Sequence, residues 1–121
     1  MLLKCKPFHN YNQLSRLNNL YAYFLVNSKP TKKKLLDHVV ARVTPHWYDL
    51  GITLLNEEQE SHLDVIKSNY TDKKTCCKEM FWYWLSTNTS ASWQQLIDAL
   101  RSPAVELHVV AADLEKMLTG S

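Results

Sequence analysis

Apolar residues in this chain recur three and four positions apart in segment after segment, the mark of helices that each bury one face. In YNQLSRLNNLYAYFLVN, Leu14, Leu17, Tyr21, Phe24 and Leu25 share a stripe, and the helix they predict ends near Asn27 and Ser28. Pro30 and Thr31 open a second helix, with Leu36, Val39, Val40 and Val43 inward. Thr44 and Pro45 have the form of an N-cap and first-turn pair for a third, carrying Trp47, Leu50, Leu54 and Leu55. Asn56 and Gln59 resemble a capping box for a fourth, with Leu63 and Ile66 inward and an end near Asn69. Thr71 and Asp72 open a fifth that runs to about Ser86, and Ser92 with Gln95 opens a sixth through Trp93, Leu96, Ile97 and Leu100. Ser102 and Pro103 cap the last, with Leu107, Val110, Leu114, Met117 and Leu118 along one side. Short connections make successive helices packing neighbours in an all-α bundle.

Composition narrows this reading. The chain has 121 residues, room for one core, and 45% of them are hydrophobic against 21% charged, the balance of a folded domain. Its two glycines, Gly51 and Gly120, are too few for the tight turns of a sheet-rich domain. They also exclude phosphate loops, dinucleotide fingerprints and nucleophile elbows. Lys4, Lys6 and Pro7 interrupt any signal-peptide core, and the run Leu20 to Val26 is too short to span a bilayer. The expectation is a cytoplasmic protein without membrane insertion. Cys5, Cys76 and Cys77 form no disulfide framework, and Cys76 and Cys77 read as buried structural thiols. His9, His38, His46, His62 and His108 show no metal-ligand spacing. The sequence therefore predicts no enzyme, no cofactor, no metal and no small-molecule substrate.

Charge is unevenly spread. Residues 1–43 hold eight basic side chains against one acid, Asp37, while the rest holds six against eleven. The two segments have charges suited to pairing inside one molecule or between copies of it. Lys32, Lys33 and Lys34 are the strongest nucleic-acid signal, yet they lack a basic recognition helix and aromatic interleaving. A small helical nucleic-acid-binding domain using the basic N-terminal third is thus the second functional reading.

Three of the four tryptophans fall between Cys76 and Ser102. At about 100° per residue, Cys76, Met80 and Trp84 share one arc, whereas Trp82 falls opposite Met80 among Thr75, Lys78, Glu79 and Ser86. Trp84 and Trp93 therefore read as core rings. Trp82 is either covered by a loop or the first helix, or exposed as an interface anchor.

WYDLGITLL, LDVIKSNY, CCKEMFWYWL and ASWQQLIDALR follow one another in order with short gaps. The series resembles the death domain of the death-fold superfamily. Trp47 and Leu50 fit that family's second helix, Ile66 its third, Met80, Phe81 and Trp84 its fourth, and Trp93, Leu96 or Ile97, Ala99 and Leu100 its fifth. Gly51 stands where the family often has Ala, and Phe81 where it has Leu. The resemblance covers about Thr31 to Leu118. It implies a six-helix antiparallel bundle in a Greek-key arrangement over residues 30–119, preceded by a helical extension at 1–29 and followed by a tail at 120–121. Trp47, Leu50, Ile66, Met80, Trp84, Trp93, Ile97 and Leu100 would form its core. It also implies a non-enzymatic adaptor that assembles with other death-domain-like proteins or with copies of itself, in apoptotic or innate-immune signalling. One pairing in that family sets helices 1 and 4 against helices 2 and 3. Here that points to Lys32, Lys33, Lys34, Lys78 and Trp82 on one surface and Glu57, Glu58, Glu60 and Asp64 on the other.

Overall fold

The structure is a computed structural model and describes residues 20–120. Among these residues all regular structure is helical. A leading helical stretch covers 20–26. Six helices follow it. The first, α1, is one run whose parts are Lys32–Leu35, a π-helical segment Leu36–Val40, and Ala41–Val43. The others are α2 (Trp47–Leu54), α3 (Ser61–Asn69), α4 (Lys73–Thr87), α5 (Trp93–Arg101) and α6 (His108–Thr119).

Side-chain caps fix several starts. Thr31 Oγ1 accepts from the Lys34 amide at 3.2 Å, Asp72 from the Thr75 amide at 2.9 Å, and Ser92 from the Gln95 amide at 3.1 Å. Each satisfies a backbone donor that the first turn leaves unpaired. At the other end of the chain, Gly120 takes φ 74° to close α6, a left-handed geometry that glycine adopts without a Cβ penalty.

Four expectations change on packing. In α1, Leu35 is buried and Leu36 is 42% exposed, the reverse of the expected stripe. The π segment is the reason: its i to i+5 repeat sets Leu35 on the side of Val40. Thr44 does not cap α2; its hydroxyl donates back to the Val40 carbonyl at 2.7 Å. Pro45 lacks an amide to continue the α-helical ladder, so Thr44–His46 tightens into a 3₁₀ turn joining α1 to α2. Asn56 and Gln59 do form reciprocal bonds, of 3.0 and 3.4 Å, but the segment 57–60 is a turn and α3 begins at Ser61. Ser102 and Pro103 likewise start a turn rather than α6. The Ser102 carbonyl accepts from Val105 and Glu106, Glu106 sits at φ 55°, and the helix resumes at His108.

The core lies where α4 meets its neighbours. α2 packs on α4 and α5, α1 and α3 pack on α4, and α5 packs on α6. Trp47, Leu50, Ile66, Met80, Trp84, Trp93, Ile97 and Leu100 are all buried, with Phe81 tilted against Trp84 at 6.2 Å between ring centroids. Cys76 and Cys77 are buried thiols, and burial pushes the Cys77 thiol up to about 12. Cys5, His9, Leu14 and Leu17 lie outside the described residues.

The described residues before Pro30 are bound to this bundle. The Ser28 carbonyl accepts the Trp93 amide at 3.0 Å, Leu25 and Val26 pack against the core, and Pro30 is buried. Of the stripe expected to face inward, Leu25 does so, but Tyr21 and Phe24 are exposed. Ala22, Leu25 and Val26 form the less exposed side instead.

Candidate interaction surface

α4 organises the surface, because three of its consecutive residues serve three directions. Trp84 points into the core. Trp82, two residues earlier and so about 200° around the helix, is half-buried, with the Lys32 ammonium 5.2 Å from its ring centroid. Tyr83, between them, stacks on the His62 ring at 3.9 Å and 17°. Lys32 opens α1 and His62 lies in the first turn of α3, so the two helix starts flank α4 on different sides.

The basic side gathers Lys32 and Trp82 directly. Lys78, one turn before Trp82, is half-buried on the same face. Lys33 is diverted: its ammonium pairs with Asp37 at 3.0 Å within α1. Lys34 is exposed and makes no ion pair with a described residue. Trp82 thus packs partly against the core and carries a cation from α1 over its ring, an attraction between the ammonium and the ring's negative face.

On the acidic side, Glu57 and Glu58 are exposed in the turn before α3, with Glu60 half-buried beside them. None of the three makes an ion pair with a described residue. Asp64 is engaged: it accepts the Tyr48 hydroxyl at 2.8 Å. That bond, with burial and the charges of Asp64 and Glu60, raises the Tyr48 phenol above its ordinary value.

Two longer-range ion pairs close inside the molecule, and the first joins the basic segment to the acidic one. Arg42 of α1 bonds Asp113 of α6 at 2.6 Å, and Arg101 of α5 holds both Glu115 oxygens, at 2.6 and 3.2 Å. The Arg101 guanidinium holds the Glu115 carboxyl below the usual range. Nothing in the sequence signalled these pairs or Tyr48–Asp64, since partners 14 to 71 residues apart follow no local period.

A groove of about 440 Å³ opens between the start of α2, the end of α3 and the start of α4. Its walls include Trp47, Tyr48, Tyr70, Lys67 and Lys73, with the Lys67 ammonium 5.6 Å from the Tyr48 ring centroid. Among the described residues no group of three or more His, Cys, Asp or Glu is placed to hold a metal ion. No described helix is long and apolar enough to cross a membrane. No family model, curated protein or solved structure matches this chain.

Proposed function

We propose that this chain is a death-domain-like interaction module, a Greek-key six-helix bundle that joins copies of itself or related domains head to tail in cytoplasmic signalling assemblies. It acts as a non-enzymatic adaptor, and its partners are proteins rather than nucleic acids. The observation that carries the reading is the arrangement around α4. Lys32 over Trp82 joins the start of α1 and a face of α4 into one basic, aromatic patch, while Glu57, Glu58 and Glu60, which make no ion pair with a described residue, lie in the turn before α3, whose His62 stacks on the neighbouring Tyr83. Patches on different sides of one molecule cannot neutralise each other, yet each suits the other on a neighbour, a heterologous contact that propagates. A half-buried indole supplies the apolar anchor that charges alone lack. Diversion of Lys33 and Arg42 to Asp37 and Asp113 thins the basic surface that phosphate binding would need, which favours a protein partner.

The test is charge reversal with complementation, read by light scattering on a sizing column at low and high salt. Lys32→Glu, Lys33→Glu and Lys34→Glu together should weaken self-association by about tenfold or more, since exposed pairs each contribute roughly 0.2–1 kcal/mol. Glu57→Lys with Glu58→Lys should do the same alone. Mixing the two variants should restore association, because each retains one intact patch and their reversed patches repel copies of themselves. Unchanged association of the lysine variant would sink the reading.

A further inference from the structure

The leading helical stretch is apolar on both sides, which a helix facing water on one side has no reason to be. Ala22, Leu25 and Val26 form its less exposed side, and Leu25 and Val26 pack against the core. Leu20, Tyr21, Tyr23 and Phe24 remain 55%, 67%, 61% and 68% exposed. Four adjacent large apolar side chains in water mark a contact surface rather than chance scatter. Tyr23 and Phe24 meet edge to face, with centroids 6.2 Å apart, so the aromatic surface is continuous there.

Charge identifies the occupant. Residues 1–36 contain no Asp or Glu and seven basic residues: Lys4, Lys6, Arg16, Lys29, Lys32, Lys33 and Lys34. Lys29 lies five residues past Phe24, is exposed, and forms no ion pair with a described residue; the same holds for Lys34. An aromatic-rich apolar face flanked by an acid-free basic stretch is complementary to an anionic lipid surface, where rings settle at headgroup depth and lysines meet phosphates. Lipid binding sums apolar area with about fivefold in partitioning per basic residue near the surface.

We infer that residues 20–34 form an anionic-membrane docking surface, with Leu20, Tyr21, Tyr23 and Phe24 entering the headgroup layer and Lys29 and Lys34 facing lipid phosphates. The protein then lies on the membrane without spanning it. Lys34 belongs to the lysine cluster of the assembly reading as well, so the two are told apart at Tyr21 and Phe24, whose replacement leaves every lysine in place.

The experiment is co-sedimentation of the 121-residue chain with vesicles of phosphatidylcholine alone or mixed with phosphatidylserine, in low and high salt. The expected result is binding to the mixed vesicles only, reduced at least about tenfold by high salt. Tyr21→Ser with Phe24→Ser should cut binding by a similar factor while leaving the thermal midpoint unchanged, since both side chains are exposed. Equal binding to both vesicle types, or none to either, overturns the inference. So does a double variant that binds vesicles as the native chain does, or one that instead loses self-association while vesicle binding is absent throughout, which would make the face a protein interface.

Discussion

Trp82 and Trp84 are the same residue type two positions apart on one helix, and they do opposite work. Trp84 is wholly buried with Phe81 tilted against it, and its indole N–H has no hydrogen-bond partner among the described residues. Trp82 is half-buried, shielded by a lysine from another helix. One face of α4 places an aromatic ring in apolar packing, where its N–H meets no described acceptor. The other keeps a ring near water, where it can be used. The difference shows how about 100° per residue lets one segment place one ring in the core and another at the surface.

Truncation separates the two faces most sharply. Trp84→Ala should lower unfolding free energy by about 3–5 kcal/mol in urea titration. Trp82→Ala should cost no more than about 1 kcal/mol, as loss of a partly exposed ring and its cation contact. Equal costs would erase the distinction.

A middle-sized effect probes the buried side alone. A Cβ added at Gly51 of α2 would stand 2.7 Å from Leu63 Cδ2 and 3.0 Å from Met80 Cγ, and both residues are fully buried. Alanine favours helix by about 1 kcal/mol over glycine, but overpacking costs about 1–3 kcal/mol. Gly51→Ala should therefore destabilise the fold by roughly 1 kcal/mol net, through Leu63 and the Met80 side of α4, and leave the Lys32–Trp82 contact in place. A stabilised variant in the same urea assay would show that Leu63 can yield.

The smallest effect acts on both faces through the helix start they share. Thr75 donates to the Asp72 carboxylate from its hydroxyl at 2.7 Å and its amide at 2.9 Å, which holds that carboxyl below its ordinary value. A carboxyl depressed in the folded state stabilises fully above its unfolded pKa, near 4, and that stability is lost as pH falls through the folded value. Urea midpoints taken at pH 5 and near pH 3 should show the loss, and Asp72→Asn should shrink it. Glu115, depressed by Arg101, leaves part of the acid sensitivity in place.

Much of this organisation was legible beforehand. Capping residues and the three-to-four spacing of apolar side chains act within one turn, so Asp72, Ser92, Trp84 and the inward Leu50, Met80 and Ile97 could be read locally. The failures share a cause. Leu35 replaced Leu36 because a π segment changed the repeat, and Thr44 bonds back to Val40 in the turn where Pro45 has no amide to continue the α-helical ladder. Ser102 opened a turn that Glu106 ends in a left-handed conformation.

The sequence by itself determined that the chain is helical, where most helices lie, and that Trp82 stands apart from the apolar arc of α4. Those properties follow from backbone periodicity and from which side chains water rejects. Only the tertiary structure decided that Lys32 is the cation over Trp82, that His62 stacks on Tyr83, and that Ser28 receives the Trp93 amide. It also decided which cations pair with Asp37, Asp113 and Glu115. Contacts between helices depend on crossing geometry, and no local pattern in the chain encodes it.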